Sequence, residues 1–336
     1  MIRECIAKLV DGELPDRGEA YEALREIMAG EATQAQIAAF ITALRIRGET
    51  ADVIAGATRA MREQFTPVNA PHDVVVDTCG TGGDGAHTFN ISTGAALVAA
   101  GAGAVVAKHG NRSVSSRCGS ADVLASLGVN INIDAERMTA CLKEVGLAFL
   151  FAPALHPAMK HAIGPRQEIG VRTIFNILGP LSNPASARYG VLGVYAHDLV
   201  PVIAEALAGL GAARMFVVHG ADGLDEITTT TATFVGEVRD GQVETYRLSP
   251  QDLGLATARS ADLQGGSPED NARILRAILD GTTGPKREIV VLNAAAAIMA
   301  GGLAPDWAAG LKQAQAAIDS GAAAQKLEQL VAFTNA

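Results

Sequence analysis

One stretch leaves few folds open to this chain: residues 77–116, DTCGTGGDGAHTFNISTGAALVAAGAGAVVAKHGNRSVSS. Val74 to Val76 lead into it like a buried strand, after the turn-like Asn69-Ala70-Pro71. The chain then breaks into Gly80, Gly82, Gly83 and Gly85, interleaved with Thr81 and Asp84. Asn90-Ile91-Ser92-Thr93-Gly94 opens an apolar, alanine-rich run to Ala100, which predicts a helix capped by Asn90 or Ser92. A glycine loop between strand and helix lets the backbone approach a ligand. The helix start adds free N–H groups and partial positive charge, which suit phosphate. A second strand, predicted over Ala104 to Ala107, delivers Lys108-His109-Gly110-Asn111-Arg112 to the edge where α/β folds bind ligands. Two anion-friendly loops at neighbouring strand ends fit a substrate with more than one phosphate. The glycine loop is read as neither a dinucleotide fingerprint nor a Walker A loop, the latter because no Gly-Lys-Ser/Thr closes it.

Before this stretch, residues 1–66 read as a helical unit. Ile2, Ile6, Leu9 and Val10 fall at helical spacing, as do Tyr21, Leu24, Ile27 and Met28. Thr33 with Gln36 forms a capping-box pattern, and Thr50 is placed to cap the following helix. After it, helices are predicted from Gly119-Ser120 and from Asp134, then a strand over Leu147 to Phe151 and a helical stretch from His156 to Arg166. Ile174 to Leu178 predicts a helix ending in a Gly-Pro-rich linker. Strands at 189–195 and 215–219 flank a helix at 199–210, and a hairpin turns around Asp240-Gly241. This β–α–β order predicts an α/β fold: a small all-helical domain and a large domain with a mostly parallel sheet flanked by helices. Residues 267–336 read as alanine-rich helices with no motif beyond packing.

Two features carry chemistry beyond the central stretch. Arg166 has two readings, a solvated or salt-bridged helix residue or a planar fork that grips a carboxylate bidentately. Asp225-Glu226, after a strand, reads either as an ordinary acidic loop or, against a phosphate-rich substrate, as a pair that holds magnesium.

GTGGD at 80–84, NIST-G at 90–94 and KHGNRSVSS at 108–116 resemble the anthranilate phosphoribosyltransferases, along nearly the whole chain. The resemblance implies transfer of a phosphoribosyl group from phosphoribosyl pyrophosphate to anthranilate, giving N-(5-phosphoribosyl)anthranilate and pyrophosphate in tryptophan biosynthesis. It implies phosphoribosyl pyrophosphate contacts at Gly80, Gly83, Asp84, Thr88, Asn90, Ile91, Ser92 and Thr93, at Lys108 through Ser116 (His109, Gly110, Asn111, Arg112, Ser113, Val114 and Ser115 between them), and at Ser120. It implies anthranilate contacts at Gly80, Asn111, His156 and Arg166, and Mg2+ ligands at Ser92, Asp225 and Glu226. Lys108, His109 and Arg166 are the implied catalytic residues, Lys108 by stabilising the leaving pyrophosphate. The resemblance also returns residues 158–187 to the helical domain, leaving 67–157 and 188–336 as the α/β domain, and implies a homodimer through the helices.

Charge and composition narrow the classes. Lys plus Arg number 27 against 36 acids, a net −9, which argues against nucleic acid or an anionic membrane as partner. No apolar run reaches the length of a membrane helix, and the first residues lack a signal-peptide core. Four dispersed cysteines without a C-x-x-C suit a reduced, cytoplasmic protein. A nucleoside phosphorylase of related fold would need a nucleobase site, whereas Asn111 and Arg166 suit an aromatic carboxylate. A non-catalytic, nucleic-acid-binding relative would show basic helices and eroded motifs.

Overall fold

The computed structural model describes residues 1–112 and 118–336. Four helices come first: α1 (Ile2–Asp11), α2 (Arg17–Met28), α3 (Gln34–Arg47) and α4 (Ala51–Arg62). Their starts follow local chemistry. Asp16 with Glu19, and Thr33 with Gln36, make reciprocal capping boxes, and the Thr50 hydroxyl accepts from the Val53 N–H.

Then β1 (Val76–Gly80), α5 (Ile91–Gly101), β2 (Val106–Gly110), α6 (Ser120–Ser126), α7 (Ala135–Glu144) and β3 (Leu147–Phe151) build one half of a sheet. The chain leaves it through α8 (Ala152–Leu155), α9 (Lys160–Ile169) and α10 (Ile174–Leu181). It returns with β4 (Tyr189–Gly193), α11 (Leu199–Gly209) and β5 (Arg214–Gly220). A hairpin of β6 (Thr233–Arg239) and β7 (Gln242–Leu248) turns on Asp240 and Gly241, with φ of 50° and 78°. Four helices close the chain: α12 (Pro268–Leu279), α13 (Pro285–Ala300), α14 (Trp307–Asp319) and α15 (Ala322–Asn335).

The seven strands lie in the order β3-β2-β1-β4-β5-β6-β7, with β1 to β5 parallel and the hairpin antiparallel. One large apolar cluster joins the sheet to α5 and to α12–α15. A second gathers the faces of α1–α4 with Ala162 of α9 and Ile174, Phe175 and Leu178 of α10. A third bridges the two, packing Ile54 and Leu181 against Leu192, Val194 and Ile203.

Several boundaries differ from the sequence reading, and three of them carry structural consequences. β1 starts at Val76 and runs through Asp77 to Gly80, because β4 pairs with it along its whole length. β2 covers Val106–Gly110, so Lys108 and His109 are strand residues rather than loop residues, paired with Phe149 and Leu150 of β3. α10 continues past Leu178 to Leu181, where Arg62 of α4 donates to the Leu181 carbonyl through Nε (2.9 Å) and Nη2 (2.7 Å). Among the described residues, no helix is long and apolar enough to cross a membrane.

Candidate active site

The strand order reverses at β1. The chain proceeds from β1 to β2 and β3 on one side, and places β4 and β5 on the other. The crevice beyond the carboxyl ends of β1 and β4 is therefore the topological switch point, where open α/β sheets bind ligands. Two paired glycines, Gly80 and Gly193, end these strands. A Cβ on Gly80 would stand 2.5 Å from Asp225 Oδ2, and one on Gly193 would stand 1.7 Å from the Asp225 carbonyl oxygen. The glycines clear the floor on which Asp225 lies. Gly82 and Gly83, at φ of 65° and 76°, turn the loop back over it, and the Gly82 N–H donates to Asp225 Oδ2 at 2.7 Å.

Glu226 accepts from the Ser92 N–H (3.1 Å) in the first turn of α5. Both acids are partly buried, and burial pushes both well above the ordinary carboxylate range. Asp84 raises Asp225 further, Asp225 raises Glu226, and Lys108 pulls Glu226 back. Lys108, buried in β2, donates through Nζ to the Thr78 carbonyl and to Ser92 Oγ (3.3 Å). Two crowded carboxylates beside a serine hydroxyl form an all-oxygen donor set, which fits a hard divalent cation such as Mg2+.

Alternation along β2 sends His109 to the opposite face from Lys108. Its Nε2 lies 3.1 Å from Nε2 of His156, so one ring donates and the other accepts. Burial lowers His109 to about 3 and His156 to about 4, and the neighbouring His156 ring adds to the effect on His109. The pair is neutral at physiological pH. Phe65 meets His156 edge-on at 6.1 Å. Arg166, on α9, lies 5.4 Å over the Phe175 ring; burial disfavours its charge, and no acid among the described residues offsets this. Arg172, in the same segment, donates through Nη1 to the Gly83 carbonyl (3.0 Å) and lies over Tyr195. The arginine-bearing segment is thus tied to the glycine loop.

The helical part, residues 3–65, matches the model of the glycosyl transferase family's helical bundle domain, and residues 72–324 match that of its a/b domain. An anthranilate phosphoribosyltransferase of Anaeromyxobacter sp. (strain K) is 58% identical over 334 residues, covering 99% of each chain. This chain belongs to the anthranilate phosphoribosyltransferase family. The crystal structure of the Thermus thermophilus enzyme matches with a TM-score of 0.94 at 45% identity, covering 99% of each chain. The Saccharomyces cerevisiae enzyme in complex with PRPP and Mg matches at 0.90 and 29% identity, over 99% of this chain and 98% of that one. That enzyme has also been solved with 4-fluoroanthranilate.

Within this family's fold, the structure gathers Gly80, Gly83, Asp84, Ser92, Lys108, Asp225 and Glu226 at the switch point, and His109 and His156 side by side across β2. Gly80, Gly82 and Gly85 do stand at G-x-G-x-x-G spacing, yet α5 begins only at Ile91, so the loop is not the strand-to-helix turn of a dinucleotide site. Asn90 occupies the N-cap position of α5 without capping it. Its amide donates to the Cys118 carbonyl (3.2 Å), and its oxygen accepts from Asn271 (3.0 Å). Thr88 bridges to Gln264. Asn111 turns its side chain onto the Arg112 N–H, and Arg112 pairs with Asp122 at 2.8 Å. Ser120 Oγ donates to the Asn111 carbonyl at 3.3 Å, closing the start of α6 against this loop. Ser113, Val114, Ser115 and Ser116 lie outside the described residues. Sequence reading missed Gly193, Asn271 and Asn293. The only signal for the two asparagines was a polar residue inside an apolar helix face.

Proposed function

We propose that this protein transfers the phosphoribosyl group of phosphoribosyl pyrophosphate to the amino group of anthranilate, releasing pyrophosphate. The observation that carries the reading is the crowded Asp225–Glu226 pair, hydrogen-bonded at once to the glycine loop and to the start of α5. Asp225, Glu226 and Ser92 would hold Mg2+, which supplies positive charge to the phosphate oxygens of the substrate.

In the reaction, the bond from the anomeric carbon to the pyrophosphate oxygen breaks, and its electron pair leaves with pyrophosphate. The amine nitrogen supplies the pair for the new bond and then gives up a proton. Lys108 and the N–H groups of the Gly80–Asp84 loop stabilise the leaving charge without moving, because strand pairing and glycine turns already hold them. Gly80, Gly83, Asp84, Thr88, Asn90, Ile91, Thr93, Gly110, Asn111, Arg112 and Ser120 line the phosphoribosyl side. Arg166 grips the anthranilate carboxylate, assisted by Asn111, with His156 and Gly80 along the wall.

The neutral His109–His156 pair favours an orienting role for His109 over that of a strong base. An aromatic amine is uncharged at neutral pH, so positioning it supplies much of the acceleration.

The same reading makes residues 1–66 and 158–187 one helical domain and makes the protein a homodimer through it. Exposed Val10 and Ile46, brought together by Arg47 donating to the Leu9 and Val10 carbonyls, support that face. The free thiols suit a cytoplasmic setting. The test is loss of anthranilate fluorescence with purified protein, phosphoribosyl pyrophosphate and Mg2+. The expected signal loss needs all three. A wild-type protein that leaves anthranilate untouched overturns the assignment.

A further inference from the structure

α13 is buried along every residue from Ile289 to Ala300, and all but one of these are apolar. The exception is Asn293, 2% exposed. A lone amide in such a helix is unfavourable unless its donors and acceptor are matched. Here they are matched largely by one residue of the acid loop. The Asn293 amide donates to the Ile227 carbonyl (2.8 Å) and to the Ile289 carbonyl of its own helix (2.9 Å). Its oxygen accepts from the Ile227 N–H at 2.9 Å. Asn293 therefore grips both backbone groups of the residue that directly follows Glu226. The loop side is held as well: the Asp222 carboxylate accepts from the Leu224 N–H and from the hydroxyls of Thr228 and Thr230. The anchoring of Ile227 to the core falls to α13 alone among these contacts.

We propose that Asn293 is a positioning residue for the cation site: by clamping Ile227 to α13, it sets the direction in which Asp225 and Glu226 present their carboxylates. Its hydrogen bonds all go to backbone groups, so it acts through the loop it holds. The inference rests on the reading of Asp225–Glu226 as the cation-holding pair. Groups that orient metal ligands typically change metal affinity by about 10- to 100-fold when removed.

The test compares Asn293→Leu with Ile298→Ala, a cavity variant on the same buried helix whose side chain makes no hydrogen bond to residue 227, and with Glu226→Gln. Mn2+ binding is read by loss of its free electron-paramagnetic signal, with phosphoribosyl pyrophosphate present and anthranilate absent. Amide hydrogen exchange over residues 224–228 is read separately on metal-free protein. The expected result for Asn293→Leu is Mn2+ binding weakened at least about tenfold and faster exchange in that segment. Ile298→Ala should show neither change. Asn293→Ser, which keeps one hydroxyl, should fall between the two and serves if the leucine variant does not fold. If Asn293→Leu and Asn293→Ser bind Mn2+ like wild type while Glu226→Gln does not, this inference falls and the cation site stands. If Glu226→Gln binds as wild type does, the acid-pair reading falls and takes the inference with it.

Discussion

Asp77 within the sheet and the Asp225-Glu226 pair beyond its edge are two sets of acids treated in opposite ways. Asp77, in β1, is surrounded by donors: the His109 N–H reaches Oδ1 at 3.1 Å and the Asn183 amide reaches Oδ2 at 2.7 Å. Asn183 also donates to the Ala107 carbonyl, so one amide stitches the chain leaving α10 to β1 and β2. Burial pushes Asp77 up to about 6, with Lys108 and Asn183 pulling it down, and at neutral pH it is ionised and matched. Asp225 and Glu226 have one backbone donor each and face other acids. A buried acid supplied with donors holds a fold together. A pair left crowded and short of donors costs stability, and a fold keeps it where a cation or substrate completes it.

The sharpest break of this contrast is the double variant Asp225→Asn/Glu226→Gln. It should lower kcat/KM by about a thousandfold, the scale expected when charge stabilisation of a leaving group is removed. Anthranilate fluorescence decay measures it.

Arg166 extends the rule to a cation that lacks an acid. Arg166→Ala should raise the KM for anthranilate by about a hundredfold and leave that for phosphoribosyl pyrophosphate nearly unchanged, since a bidentate charged contact is worth roughly 2–3 kcal/mol. Steady-state kinetics in each substrate separate the two.

Asp77→Ala should do the reverse of the acid-pair variant. It strands the His109 N–H and the Asn183 amide, so denaturant unfolding should show a loss of about 2–4 kcal/mol. Activity per folded molecule should fall by less than about tenfold, a drop of under 1.4 kcal/mol.

The smallest effect concerns the histidine pair. His156 is held neutral in the fold, with a pKa of about 4 against 6.5 when free. The unfolded chain therefore binds the extra proton between these values, and stability should fall as pH drops from 6.5 toward 4. His156→Gln should remove about 1–2 kcal/mol of that acid loss. Asp77 acts with the opposite sign, since its folded pKa lies above its free value and its contribution to stability is lost as pH rises through about 6. The difference between wild type and His156→Gln cancels it.

How much of this was legible in the sequence depended on whether a residue's role is local. The glycine loop, the start of α5 and Asp225-Glu226 announce themselves within a few positions, as turns, helix starts and paired charges do. The capping boxes of α2 and α3 are of the same kind, although only the second was read. Lys108 and His109 stand out in the sequence, but there they read as loop residues. Only the pairing of β2 with β3 makes them strand residues, and strand alternation then gives them different tasks. Gly193 could not be read at all, because its meaning lies in Asp225 packing on it from a distant part of the chain. Asn183, Asn271 and Asn293 were hard to read for a related reason: each amide ties its own element to a distant segment.

Thermal denaturation of Asp225→Asn/Glu226→Gln beside wild type tests the contrast most directly, first in EDTA and then with Mg2+ and phosphoribosyl pyrophosphate. In EDTA the variant should be as stable as wild type or more so, since neutral groups relieve the crowding. Mg2+ with substrate should then raise the melting temperature of wild type and leave that of the variant unmoved. A variant that melts below wild type in EDTA, as Asp77→Ala should, would place the pair among the acids that hold the fold together and contradict this account.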